Sequence, residues 1–126
     1  MNYSHKTIDP ANPDNDRGKR TWEWKFPEGH QITIYYRKEG EQFGAHYHKD
    51  KNPEKLLLIQ GKIRAVFDTD KTPEEIVFDA TKNPVEITIF PLTLHSMNAL
   101  TDCYYIGYRP TYFDPKNPDT YSPEHK

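Results

Sequence analysis

The chain has a single cysteine, Cys103, so no internal disulfide can staple it, and the aromatic run around it, DCYYIGY, suits a small buried side chain better than a nucleophile. Long apolar runs are missing too. No stretch approaches the roughly 18 consecutive apolar residues of a membrane span, and the opening MNYSHKTIDPANPDNDRGKR lacks the apolar centre of a secretory signal. The expectation is a cytoplasmic protein without a membrane partner. Nor is there a surplus of positive charge. The formal net charge is −2 and no Lys/Arg stripe stands out, which argues against nucleic acid as a partner. Helical periodicity fails beyond a single turn, and TPEEIVFD is the one segment where a short helix competes with a strand.

What is present favours short strands. The 126 residues suffice for one domain and are too few for two. Apolar residues are only 34% of the chain, so the core is lean, and nine Tyr, six Phe and two Trp carry much of its hydrophobic surface. With 11 Pro and 6 Gly, that mixture suits strands joined by tight turns. Strands are expected over Arg20 to Phe26, Gln31 to Lys38, Phe43 to Lys49, Lys55 to Ile59, Lys62 to Asp68, Glu74 to Asp79, Val85 to Pro91 and Asp102 to Arg109. The turn signals PEGH, KEGE, KDKNP, QG, TDKTP, TKNP and LTD separate them. Eight short strands at even spacing without a repeat unit predict an all-β closed double sheet, a jelly roll or small barrel. Residues 1–20 form an N-terminal arm, 21–113 the barrel, and 114–126 a tail that packs on the barrel or is disordered.

Strand parity places Glu54, Leu56 and Leu58 on one face and Lys55, Leu57 and Ile59 on the other, and both faces are largely apolar. The second face therefore packs on another sheet or a second subunit, and a homodimer is the default expectation.

The most informative stretch is GEQFGAHYHKDKNPEKLLLIQG, Gly40 to Gly61. His46 and His48 are two apart, so on a strand they share a face with Cα atoms about 7 Å from each other. The polar turn KDKNP then returns Glu54 towards them from a neighbouring strand, and His95 in FPLTLHSMN is a fourth candidate. Three imidazoles and one carboxylate suit a divalent transition metal such as zinc, iron, manganese or nickel, with room for water or substrate. Without such convergence the pair would be ordinary strand histidines.

These intervals resemble the cupin superfamily, whose first motif runs Gly, five residues, His-x-His, three to four residues, Glu, six residues, Gly. Gly40, His46, His48, Glu54 and Gly61 match every interval but one, since five residues separate His48 from Glu54. The second motif, Pro-x-Gly-x-x-His-x-x-x-Asn, is present in shortened form as Pro91, His95 and Asn98, without its glycine. HYHKDKNPEKLLLIQGKIRAVFD, IFPLTLHSMNAL and FDPKNPDTY, with Asp16-Arg17-Gly18 near the start, are more closely similar to the C-terminal cupin domain of bifunctional capsular-polysaccharide enzymes. In that family the domain binds zinc and epimerises C3 of a UDP-4-keto sugar, and a separate nucleotide-binding domain reduces the product.

The resemblance implies a cupin-type double-stranded β-helix with His46, His48, Glu54 and His95 as metal ligands, zinc first among the metals. It further implies a small-molecule partner, a nucleotide sugar, and an isomerase activity. No Gly-rich dinucleotide fingerprint is present, so no hydride transfer is expected from this chain. The base needs a pKa near neutrality, and His95 or Tyr108 is expected in that role. Three alternatives stay open: a metal-free cupin epimerase using a His–carboxylate base and a Tyr acid, a sugar-binding module without catalysis, and an iron-dependent dioxygenase. Tyr35, Tyr36, Tyr104 and Tyr105 are expected in the core or an interface, and Arg64 and Arg109 as surface charge.

Overall fold

The computed structural model describes residues 2–7, 20–68, 73–114 and 116–122. The Asp16-Arg17-Gly18 segment, most of the expected arm, most of the TDKTP turn and the last four residues lie outside them. Among the described residues nine strands form: β1 (Thr21–Lys25), β2 (Gln31–Arg37), β3 (Gln42–His46), β4 (Glu54–Gln60), β5 (Lys62–Asp68), β6 (Pro73–Asp79), β7 (Val85–Ile89), β8 (Leu94–Ala99) and β9 (Cys103–Arg109). They build two antiparallel sheets, in the orders β1-β2-β9-β4-β7 and β3-β8-β5-β6. The fold is the all-β jelly roll that the strand spacing predicts, and no described helix is long and apolar enough to cross a membrane.

One expected strand prevails over its helical competitor, and one further strand was not expected. The segment TPEEIVFD is strand β6 throughout its described part, at the edge of its sheet, with Glu74 and Glu75 exposed along it as charged edge residues often are. More consequential is β8, which the sequence pattern did not announce. Its inward positions hold His95, Met97 and Ala99 and its outward ones Leu94, Ser96 and Asn98, so polar and apolar residues occur on both faces and alternation is blurred. Pairing supplies what propensity does not, because β8 lies between β3 and β5 and is bonded on both edges.

The core lies between the sheets. Leu56 and Leu58 of β4 meet Ile63 and Ala65 of β5, Ile87 of β7 and Met97 of β8, with Cys103 fully buried among them. Each large apolar side chain so enclosed contributes roughly 1.5–3 kcal/mol. Between β4 and β5 the chain crosses from one sheet to the other at Gly61, whose φ is +97°. A Cβ there would stand 2.3 Å from the Asp102 carbonyl oxygen, so only glycine fits this corner.

Candidate metal centre

His46 is the last residue of β3 and pairs directly with His95 of β8, so two imidazoles of the four-stranded sheet meet across one ladder. They come together through a bulge. The β3–β8 register shifts between Phe43 and His46, Gly44 takes φ +72°, and a Cβ at Gly44 would touch the His95 ring at 3.5 Å. His48 follows just past the strand end, beyond the buried Tyr47. Glu54 does not come from a neighbouring strand. It opens β4, in the opposite sheet, and reaches the histidines across the barrel interior. One donor atom from each of His46, His48, Glu54 and His95 lies within 4.8 Å of the others. The ring centroids are 4.6 Å apart for His46 and His48, 4.7 Å for His46 and His95, and 5.4 Å for His48 and His95.

Hydrogen bonds from two of the rings to backbone carbonyls decide which nitrogens face inward. Nδ1 of His48 donates to the Asp119 carbonyl at 2.7 Å, and Nδ1 of His95 donates to the Thr93 carbonyl at 2.9 Å. A carbonyl oxygen only accepts, so each ring carries a proton on Nδ1 and turns Nε2 towards the cluster. Nε2 of His48 then stands 2.5 Å from a Glu54 carboxylate oxygen, buried and without a hydrogen-bond partner. Two electron-rich atoms at that separation require positive charge between them, supplied by a proton or a cation. The donor set therefore fits a divalent ion, which binds nitrogen and carboxylate oxygen at about 2.0–2.2 Å.

The charges are coupled accordingly. Burial disfavours charge on both His48 and Glu54, yet their mutual contact outweighs it, raising the His48 pKa and lowering that of Glu54. Burial dominates at His95, which is 2% exposed, and lowers its pKa so that the ring is held neutral.

The cluster opens into a cavity of about 360 Å³ between the sheets. Its walls include Glu23 of β1, Gln31, Thr33 and Tyr35 of β2, Tyr105 and Arg109 of β9, and Phe113, Pro118 and Thr120 of the tail. Burial raises the Glu23 pKa, and burial followed by the nearby Glu54 charge raises that of Tyr35. Arg109, expected as surface charge, is half-buried here. Its guanidinium lies over the Phe113 ring at 5.2 Å, and its Nε has no hydrogen-bond partner. Arg64 does stay at the surface, 3.5 Å from Glu75.

Tyr108 is not brought to the cavity. Alternation along β9 sends Cys103, Tyr105 and Arg109 inward and Tyr104, Ile106 and Tyr108 outward; the Tyr108 hydroxyl lies 2.6 Å from Nδ1 of His30, and the residue borders a separate small pocket of about 60 Å³ that His48 and Glu54 also line. Glu23, Gln31 and Thr33 gave no motif signal. Only the register β1-β2-β9 reveals them, since Glu23 pairs with Thr33 and Thr33 with Gly107.

Solved structures of known proteins share this fold. CapF from Staphylococcus aureus, a capsular polysaccharide assembling protein, is 30% identical with a TM-score of 0.72 over 86% of this chain and 30% of its own. This chain thus spans about a third or less of CapF. The TDP-fucose-3,4-ketoisomerase WlaRA from Campylobacter jejuni (21% identical, TM-score 0.55, 73% of this chain and 67% of that one) shares the fold. So does the sugar 3,4-ketoisomerase QdtA from Thermoanaerobacterium thermosaccharolyticum, solved with TDP (20% identical, TM-score 0.53, 69% and 63%). A search of curated protein sequences finds no match. The family model for the polysaccharide biosynthesis C-terminal domain matches residues 12–121, and the chain belongs to that family, with a cupin fold.

Proposed function

We propose that this chain is a metal-dependent cupin that epimerises or isomerises a nucleotide-activated 4-keto sugar in polysaccharide biosynthesis. The observation that carries the reading is the convergence of His46, His48, Glu54 and His95 at the head of a polar cavity in a chain of this family. The likeness to CapF and the shared fold of two sugar ketoisomerases support the substrate class. Zinc suits the three imidazoles and one carboxylate, as would iron, manganese or nickel. A divalent ion held there supplies positive charge for the oxyanion that develops at the ketone as a neighbouring proton leaves.

The chain's own residues divide the remaining work. Nδ1 of His95 is engaged by the Thr93 carbonyl and its ring belongs to the donor group, so this reading assigns His95 as a ligand and not as the base. Tyr108 does not line the large cavity, and its hydroxyl is engaged by His30. Glu23, lifted towards neutrality by burial in the same cavity, is the base this reading prefers, with Tyr35 as the proton donor to the product face. Arg109 offers its guanidinium to the diphosphate. Incubation with UDP- and dTDP-linked 4-keto sugars in heavy water should place deuterium beside the ketone, and Glu54→Gln should abolish it. No exchange with any of these substrates overturns the proposal.

The outer face of the five-stranded sheet supports a homodimer within this reading. Ile34, Leu57 and Ile59 are 37–41% exposed there, and Trp22, Ile34, Ile106 and Leu57 are aligned in register across β1, β2, β9 and β4. Sedimentation should give about twice the 14.9 kDa chain mass, and Leu57→Glu should give a monomer. A monomeric parent protein removes this part.

A further inference from the structure

The tail segment carrying Asp119 is the part of the site that no metal-binding motif announces. Asp119 is a non-glycine residue at φ +50°, a conformation that Asp tolerates better than most. Its carboxylate accepts from the Lys49 amide at 2.9 Å and from the Asp50 amide at 2.8 Å. Its carbonyl accepts from Nδ1 of His48 at 2.7 Å. Two residues on, Tyr121 exchanges both backbone hydrogen bonds with Tyr47 at 3.1 Å and stacks on the Tyr47 ring at 5.5 Å. The residues flanking His48 on either side are thus both tied to one short stretch of tail.

The left-handed turn at Asp119 has a direct geometric consequence. It lets one residue aim its side chain at the amides after His48 and its own carbonyl at the ring of His48. Neither contact touches an ion. Together they fix the ring's rotation and keep a proton on Nδ1, so that Nε2 is the nitrogen aimed at Glu54.

We propose that Asp119 is a positioning residue for the metal centre: by capping the Lys49 and Asp50 amides it holds its carbonyl oxygen on Nδ1 of His48, so that His48 presents Nε2 to the ion. This rests on the metal-binding reading above. Three variants separate its parts. Asp119→Ala removes the caps and disfavours the left-handed turn, Asp119→Gly removes the caps but permits the turn, and Asp119→Asn keeps an acceptor oxygen and tolerates the turn.

Zinc affinity is read by competition with a chromophoric chelator. The His48 tautomer is read from long-range proton–nitrogen NMR correlations of the metal-free protein at alkaline pH. The parent protein should show His48 protonated on Nδ1. Asp119→Ala and Asp119→Gly should weaken zinc binding about 10- to 100-fold and lose that single tautomer, and Asp119→Asn should restore most of both. Parent-like zinc affinity and tautomer in Asp119→Ala would overturn the proposal, as would a tautomer that persists while affinity falls only in step with thermal stability. The tautomer measurement needs no ion, so a parent protein that takes up no zinc defeats the metal reading alone and leaves Asp119 to be judged on the NMR result.

Discussion

Strands β2 and β4 lie on either side of β9 in the same sheet, yet they divide their faces in opposite ways. Inward, β2 presents Gln31, Thr33, Tyr35 and Arg37, and outward Ile32, Ile34 and Tyr36. Beyond Glu54, β4 turns Leu56 and Leu58 inward and Lys55, Leu57 and Ile59 outward. The difference shows that two kinds of interior meet within one barrel. Polar side chains are tolerated behind β2 because most of their polar atoms find partners, Nη2 of Arg37 excepted. Gln31 donates to Thr33 at 3.3 Å and accepts from the Phe113 amide at 2.9 Å. Arg37 donates to Thr21 and to the Tyr36 carbonyl, with its guanidinium 5.1 Å from the Tyr35 ring. Behind β4 the interior is held by apolar packing alone.

The contrast predicts unequal responses to truncation. Leu58 is fully buried, so Leu58→Ala should lower unfolding stability by about 2–5 kcal/mol, read from the urea midpoint. Zinc stoichiometry of the folded fraction should be unchanged, because Leu58 does not line the cavity that the metal ligands share. A variant that loses zinc before it loses stability would show that the two interiors are not separable.

On β2 the analogous change acts through hydrogen bonding. Gln31→Ala frees the Phe113 amide and should cost a smaller amount, about 1–3 kcal/mol. It should also loosen the tail, so that proteolysis after Arg109 speeds up relative to the parent. If the tail stays equally protected, the Tyr47–Tyr121 bridge and not Gln31 anchors it.

The same contrast explains what was legible in the sequence. Strand β4 and its neighbours could be read because apolar alternation and glycine turns report packing, and the His46, His48 and Glu54 intervals could be read because ligands recur at fixed spacings. Period-two alternation also puts Tyr105 and Arg109 on one face of β9 and Tyr108 on the other. It could not tell which set faced inward, because on β9 both faces carry aromatic residues and the choice is made by the sheet opposite. Strand β8 escaped because its buried positions include a histidine and an alanine. Glu54 was expected from an adjacent strand, since a short turn normally makes a hairpin, but here the turn spans the two sheets. Asp119 was legible only as part of FDPKNPDTY and not as a contributor to the site, because what it offers there is a backbone carbonyl, a turn and two amide caps.

The smallest expected effect concerns the apolar interior at its most titratable point. Cys103 is fully buried, and burial pushes its thiol up to about 11. An unfolded cysteine ionises near ~8.5, so the folded state favours the neutral form. That contribution is fully present below the unfolded value and is lost as pH rises from there towards 11. At pH 9 the loss should be less than about 1 kcal/mol. Urea titrations across this range should show the parent protein losing stability faster than Cys103→Ala, with the two curves parallel below pH 8. Parallel curves throughout would mean that the thiolate is accommodated in the fold, and the separation between a polar and an apolar interior would then fail at Cys103, the position where β9 packs into the core.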